Sequence, residues 1–182
     1  MGENTLLLYE ERVQAILKEG IPRTFPKGTI ISHQGKEMTT MYYIKKGIVR
    51  GYYINEEGKE VTKCFSSEGE LFGVEGFLYE RKATYFIEAL EDLQCIALPY
   101  VVVKGWMNKD MDNIIIANKM IIEALEIMED RAKALLLKDA SERYQSFQKQ
   151  YSNIATRLKQ KNVASYLGID EASLCRIKKK LT

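Results

Sequence analysis

The chain has 182 residues, 46% hydrophobic and 29% charged, with a formal net charge of +2. That composition excludes disordered, collagen-like and disulfide-stapled chains. The longest uncharged stretch, residues 93–103, is too short to span a bilayer, and the first twenty residues lack the apolar core of a signal peptide. Three scattered cysteines argue against a disulfide framework. We therefore expect a cytoplasmic protein with free thiols and no membrane partner.

The charge is unevenly distributed along the chain. From Arg157 onward there are seven basic residues and two acidic ones, so this segment carries +5 and the remainder −3. A basic end on a mildly acidic protein predicts a polyanionic partner. The alternative is a helix end whose lysines are simply solvated.

The first half of the chain changes from a helical pattern to a strand pattern. Residues 5–19 read as a short amphipathic helix, and Pro22 and Pro26 are predicted to break the chain after it. Runs rich in Ile, Val, Tyr and Thr then recur between glycines, and Gly58 marks a hairpin tip. This spacing predicts a small closed or sandwiched β unit. The predicted strands are residues 29–31, 41–45, 48–54, 60–65, 85–89 and 94–98.

A helical pattern starts near Asn108 and continues for almost thirty residues. Its apolar positions alternate steps of four and three, which is the repeat of a coiled-coil seam and predicts a dimerisation helix. The alternative is a helix buried against the β unit. Asn118 lies on the seam, where it could fix the register or face a ligand. The predicted dimer interface comprises Ile114, Asn118, Ile121, Leu125, Met128, Ala132 and Leu135.

The last forty residues contain a predicted helix over 140–150 and then a helix–turn–helix pattern over 162–181. Gly168 supplies the turn, Asp170 suits the N-cap of the second helix, and Leu174 and Ile177 face inward. The second helix would enter a major groove, where Arg176 suits the guanine edge. The alternative is a plain helical hairpin in a core.

Side chains on the outer side of this motif are the predicted DNA contacts. Ser173 and Arg176 are expected at base edges and the terminal lysines at phosphates, whereas Cys175 is expected to be a small packing residue. The predicted DNA-binding residues are Ser165, Glu171, Ser173, Arg176, Lys178, Lys179 and Lys180.

The order of these parts resembles the Crp/Fnr superfamily of transcription regulators. Residues 41–50 are similar to its β-roll core strands, residues 69–73 and 89–92 frame its nucleotide cassette, and residues 163–181 resemble its helix–turn–helix. The resemblance implies an α+β fold: a jelly-roll-like β-roll (a double-stranded β-helix) over 1–107, a dimerisation helix over 108–138 and a helix–turn–helix domain without a C-terminal wing over 139–182. It implies a homodimer that binds an inverted-repeat DNA duplex, with RNA polymerase as a candidate further partner.

The cassette departs from the family pattern at its ligand anchors. The Glu expected after Gly73 is Val74, and the Arg expected on the cyclic phosphate is Ala83. Losing that Arg removes a charge-assisted contact to an anion, so cyclic AMP is not the expected effector. The degenerate pocket is expected either to bind a different effector or to bind none. Its candidate residues are Gly73, Glu75, Arg81, Lys82, Thr84 and Met128.

No catalytic or metal-binding motif stands out, so neither an enzyme nor a cofactor is expected. The single histidine and three scattered cysteines cannot supply an iron–sulfur or zinc ligand set. Two other functions stay open: a small-molecule sensor acting through a protein partner, and an enzyme on a β-barrel, for which one histidine is too few. The basic segment favours the DNA-binding regulator over both.

Overall fold

The computed structural model describes residues 3–79 and 82–181. Eight strands lie between an N-terminal helix and a series of C-terminal helices, so the chain is an α+β protein. The strands are β1 (Ile21–Phe25), β2 (Ile30–Ser32), β3 (Thr40–Lys46), β4 (Val49–Ile54), β5 (Glu60–Ser66), β6 (Leu71–Phe72), β7 (Phe86–Ala89) and β8 (Leu93–Pro99). The helices are α1 (Glu3–Lys18), α2 (Val74–Tyr79), α3 (Tyr100–Met107), α4 (Met111–Leu137), α5 (Ala140–Gln150), α6 (Gln160–Leu167) and α7 (Glu171–Leu181).

The strands form two four-stranded antiparallel sheets packed face to face. Their orders are β1–β8–β3–β6 and β2–β7–β4–β5. The inward positions of both sheets meet in one apolar core, as alternating side chains of pleated strands do. Its buried members are Ile44, Val49, Phe72, Tyr85, Ile87, Ala89, Leu93 and Cys95. The expected β-roll followed by helices is therefore confirmed.

The first strand lies where the sequence predicted a chain break. Pro22 is paired opposite Ile96 in β1, at the edge of its sheet. An edge strand has one side without a ladder partner, so a residue lacking an N–H is tolerated there. Pro22 therefore marks a sheet edge, whereas Pro26 directly follows the end of β1, as the sequence predicted.

A short helix, α3, replaces the end of the predicted strand region. Residues 101–103 are three valines, which locally favour a strand. Val103 is nevertheless buried with Ile16, Leu17 and Leu98 in a cluster that joins α1 to the outer face of the β1–β8–β3–β6 sheet. Tertiary packing thus decides the conformation of this segment.

The long helix α4 begins at a fixed point next to α1. Asp110 is its N-cap and accepts a hydrogen bond of 3.0 Å from the Asn113 amide. The Arg12 guanidinium of α1 donates to Asp110 at 2.7 Å and to Asp112 at 2.8 Å. These ion pairs tie α1 to the first turn of α4.

The C-terminal helices pack directly against the β-roll. Ile48 and Phe65 of the β-roll share one buried cluster with side chains of α5, α6, α7 and the segment between α5 and α6. The Phe65 ring is 5.5 Å from Tyr151 and 5.7 Å from Tyr166, centroid to centroid. The helix–turn–helix unit and the β-roll therefore share a core.

Candidate nucleic-acid interface and effector pocket

Helices α6 and α7 are joined by a turn that the sequence predicts well. Gly168 has φ of +69° and caps α6 in the left-handed region, where glycine carries no Cβ penalty. Asp170 accepts the Ser173 amide at 2.7 Å, the usual bond of an N-cap. Leu174 is 1% exposed and fixes α7 against the shared core. Both helices therefore have defined ends and a defined packing.

One face of α7 stays exposed, and that face is basic. Arg176, Lys179 and Lys180 are exposed, together with Glu171 at the first turn. Lys178 is half-buried on the flank of this face. Because the cations lie in the second half of the helix, this face presents a positive surface that begins one turn after the cap.

Two side chains of α7 differ from the simple outward pattern. The Ser173 hydroxyl donates to Asp170 at 2.9 Å and accepts from Arg176 at 3.0 Å, so it holds the guanidinium on the helix surface. Cys175 is exposed rather than packed, because it lies on the same side of α7 as Arg176 and Lys179. The expectation that Cys175 is a packing residue is therefore wrong.

The structure places Ser165 away from the exposed face. Its hydroxyl accepts from the Thr62 amide at 2.9 Å and donates to the Glu60 carbonyl at 3.2 Å. Both partners lie on β5, the outermost strand of its sheet. In this arrangement Ser165 docks α6 on the β-roll and is not presented to a DNA backbone.

A second docking contact lies at the other end of the same interface. The Arg157 guanidinium donates to Glu68 at 2.9 Å and 3.0 Å and also bonds Glu91. Hydrogen bonding from Arg157 lowers the pKa of Glu68 to about 2. Asn153 adds a bond of 3.1 Å to the Ser67 hydroxyl. The basic residue that opens the C-terminal charge cluster is thus engaged within the chain.

The predicted seam coincides only in part with the side of α4 that the chain leaves exposed, since the most exposed isoleucines are Ile115 and Ile122. Asn113 and Ile116 face inward and are buried. Of the predicted interface, Ile114 and Ile121 are half-buried, whereas the others are exposed, Leu125 by 62% and Met128 by 54%. The alternative of a helix wholly buried on the β unit is therefore excluded.

A compact polar cluster lies where the sequence predicted the effector pocket. Glu75 of α2 forms an ion pair with Lys63 of β5, and the Lys63 ammonium lies 4.0 Å from the centre of the Tyr85 ring. Lys63 is the extra residue of a β-bulge, since Gly51 pairs with Cys64 while its neighbour pairs with Thr62. A bulge re-aims one side chain, and here it directs the ammonium onto the carboxylate.

Electrostatics keep this ion pair charged. Burial alone would raise the pKa of Glu75, but the Lys63 ammonium and the Tyr85 hydroxyl lower it overall. Burial likewise opposes the charge on Lys63, and Glu75 offsets it, so the pKa of Lys63 is raised. Burial raises the pKa of the neighbouring Cys64 thiol to about 11, which keeps that thiol neutral.

The remaining predicted effector residues are dispersed. The Gly73 carbonyl accepts a 2.7 Å bond from the Tyr100 hydroxyl of α3. Lys82 and Thr84 are exposed, and Met128 lies on the exposed side of α4. Arg81 lies outside the described residues. Of the predicted set, Glu75 is the member that the structure brings into the Lys63 cluster.

Sequence analysis missed the partners of Glu75. Lys63 reads as an ordinary outward residue of a strand, because alternation along β5 does not reveal the bulge. Tyr85 reads as a core aromatic. The available sequence signal was Lys63 in one strand and Glu75 twelve residues later. Only the tertiary fold shows that the two side chains pair.

The chain is similar to a known domain family and to known regulators. Residues 22–110 match the family model described as the cyclic nucleotide-binding domain. The fumarate and nitrate reduction regulatory protein of Vibrio cholerae is 27% identical over 170 residues, which is 83% of this chain and 64% of that protein. The cAMP-activated global transcriptional regulator CRP of Salmonella typhimurium is 22% identical over 120 residues, 65% of this chain and 57% of that protein. This chain is similar to regulators of the Crp/Fnr superfamily and carries a match to the cyclic nucleotide-binding domain over residues 22–110.

Solved structures support the same fold. FixK2 from Bradyrhizobium japonicum superposes with a TM-score of 0.76 at 20% identity, over 89% of this chain and 84% of that chain. The curated relatives of this chain are transcription regulators and not enzymes. The chain spans under two thirds of the length of those two relatives.

None of the helices in the described residues is long and apolar enough to cross a membrane. Within residues 3–79 and 82–181, no three His, Cys, Asp or Glu residues are grouped to hold a metal ion.

Proposed function

We propose that this chain is a dimeric, sequence-specific DNA-binding transcription regulator of the Crp/Fnr type whose predicted effector pocket does not take a cyclic nucleotide. The observation that carries the proposal is α7, a capped helix that follows a tight turn and exposes Arg176, Lys179 and Lys180. Such a helix fits the major groove, with Arg176 within reach of base edges and the lysines near phosphates.

Dimerisation is supported by the exposed apolar side of α4. Met111, Ile115, Ile122, Leu125 and Met128 are each more than half exposed over five turns of one helix. An apolar stripe of this length is normally covered in solution, and a second copy of α4 offers the matching seam. A two-fold dimer would place its two α7 helices on an inverted repeat.

The charges around Glu75 disfavour a cyclic nucleotide. A cyclic nucleotide brings an anionic phosphate, but Ala83 offers it no cation, and the Lys63 ammonium is already paired with Glu75. To enter, a cyclic nucleotide would have to break that ion pair. The Glu75 carboxylate would then lie near the negatively charged phosphate of the nucleotide. Both terms oppose binding.

Selection of bound duplexes from a random DNA pool tests the proposed function. We expect enrichment of an inverted repeat with half-sites about one helical turn apart, roughly 34 Å. The matched control is Arg176→Ala, which should enrich a less specific pool while keeping the fold. If the wild-type protein enriches no sequence, the C-terminal helices are instead a docking element for a protein partner.

A further inference from the structure

Thr62 on β5 contacts three separate parts of the molecule. Its amide donates to the Ser165 hydroxyl of α6 at 2.9 Å, and its carbonyl accepts from Arg131 of α4 at 2.9 Å. Its hydroxyl accepts from the buried Arg50 at 2.9 Å. Thr62 is 0% exposed, so all of its polar groups are satisfied inside the protein.

The next residue along the chain, Lys63, belongs to the polar cluster with Glu75 and Tyr85. Lys63 is the bulged residue of β5, and its position depends on the ion pair with Glu75 and on the face of Tyr85. Relaxing the bulge would shift the backbone at Thr62, because one peptide unit connects the two residues. The pocket and α6 are thus joined through a single strand segment.

Arg131 links the same point to the predicted dimerisation helix. Its guanidinium bonds the carbonyls of Thr62 and Tyr166 at 2.9 Å and 3.1 Å and stacks 3.8 Å above the Tyr166 ring. Tyr166 is the neighbour of Ser165 on α6. A shift of Thr62 would therefore reach α4 and α6 together.

We propose that the Lys63–Glu75 ion pair takes the place of an effector at the position where the sequence predicts the effector pocket, and that Thr62 transmits its presence to α6. The helix–turn–helix unit is then held in its DNA-binding orientation without a small molecule. This inference rests on the proposed DNA-binding function.

Whether the ion pair strengthens or weakens DNA binding depends on which surface of the helix–turn–helix unit contacts the β-roll. The docking contacts come from Ser165, Asn153 and Arg157, whereas Arg176 and Lys179 of α7 stay exposed. Docking fixes the unit and leaves its basic face uncovered. In a dimer, two helix–turn–helix units that are held in place bind two DNA half-sites at a lower entropic cost than two mobile units do. The ion pair should therefore favour operator binding.

The first test measures docking without DNA. Amide hydrogen exchange of Thr62 reports its bond to Ser165, because exchange requires that bond to open. Lys63→Met and Glu75→Gln should each speed exchange at Thr62 by about fivefold or more, the lower end of ordinary coupling between sites. The control Lys45→Met, exposed on β3, should leave it unchanged. Unchanged exchange at Thr62 in both folded pocket variants would overturn the proposal.

The second test measures binding to the selected duplex with no small molecule present. Lys63→Met and Ser165→Ala should each weaken operator binding by about fivefold or more. Because both act on one route, the double variant should be no weaker than the worse single variant. Additive losses, or tighter operator binding by Lys63→Met, would contradict the transmission route.

The two tests separate this inference from the proposed function. If wild-type protein binds no duplex, the proposed function fails, and the exchange measurement still decides whether the ion pair controls docking. If wild-type protein binds its operator only after a metabolite is added, the idea that the ion pair takes the place of an effector is wrong while DNA binding stands. Circular dichroism and melting temperatures confirm that each variant is folded.

Discussion

The Arg157 side chain joins the C-terminal helices to the β-roll. Its guanidinium satisfies Glu68 and Glu91 at once, and both carboxylates belong to loops of the β-roll. Side chains in this group are about one third exposed, so solvent screens their attraction. The contact therefore contributes mainly to orientation. The planar guanidinium, with two parallel hydrogen bonds, fixes the C-terminal helices on the β-roll better than a lysine would.

The Glu68–Arg157 pair should make stability depend on acid pH. Hydrogen bonding from Arg157 holds the pKa of Glu68 at about 2, below the value of about 4.3 for an unfolded chain. The contribution of Glu68 to stability is thus present above about pH 5 and is lost as the pH falls towards 2. The gap in melting temperature between wild type and Glu68→Gln should shrink over this window.

The matched control for this pH series is Glu57→Gln, on the exposed hairpin tip. It should give no comparable gap in melting temperature at pH 6, because Glu57 lies outside the contact between the β-roll and the C-terminal helices. A Glu68→Gln gap that stays constant from pH 6 to pH 2 would show that the ion pair does not form in solution.

Arg176 and Lys179 should separate base reading from phosphate binding. Arg176→Ala should cost about 1–3 kcal/mol per half-site on the operator and little on random DNA. Lys179→Ala should weaken both kinds of DNA alike and reduce the log–log salt slope by about one unit per lost phosphate contact. Binding titrations at several salt concentrations distinguish the two patterns. If Arg176→Ala keeps full discrimination, Arg176 is a phosphate contact.

Single residues set the limit of what the sequence predicts about the site. Arg176, Lys179 and the Asp170 cap follow from helical spacing and local capping rules, and the structure places them as expected. Ser165 has the same outward spacing as a DNA contact, yet β5 occupies its hydroxyl. A contact such as that between Ser165 and Thr62, about a hundred positions apart, produces no periodic pattern in the sequence.

At the scale of elements, α4 carries the sharpest prediction. If Leu125 lies in a two-stranded seam, Leu125→Lys places like charges across the two-fold axis and should give monomers. Light scattering of the variant at micromolar concentration measures this directly. Lys119→Met, beside the seam, is the control that should stay dimeric. A Leu125→Lys protein with the mass of a dimer would show that the copies meet elsewhere.

Most elements follow from local patterns, and the exceptions have tertiary causes. The six predicted strands all lie within β2, β3, β4, β5, β7 and β8 or one or two residues from their ends. β1 was missed because Pro22 suits only an edge, and α3 because three valines resemble a strand until Val103 packs on α1. A strand edge and a helix contact are properties of the assembled fold.

At the scale of the whole molecule, the pocket should be closed to cyclic nucleotides. The Lys63–Glu75 ion pair and the absence of a cation at Ala83 predict no heat of binding for cyclic AMP or cyclic GMP at millimolar concentration. Isothermal titration calorimetry makes the measurement, with Lys63→Met as a comparison that empties the site of its cation. A micromolar dissociation constant for the wild type would show that the ion pair opens readily.

The core shared by Phe65, Phe147, Tyr151 and Tyr166 has a consequence for folding. Phe65 and Ile48 of the β-roll are buried in the same cluster as the aromatic rings of the C-terminal helices, so one core includes both parts of the chain. Calorimetry should therefore record one cooperative unfolding transition for the whole chain, with equal calorimetric and van't Hoff enthalpies. Phe65→Ala should cost about 3–5 kcal/mol and split the melt, because the helices would lose the ring that joins them to the strands. Two separate transitions in the wild type would mean that each half folds alone.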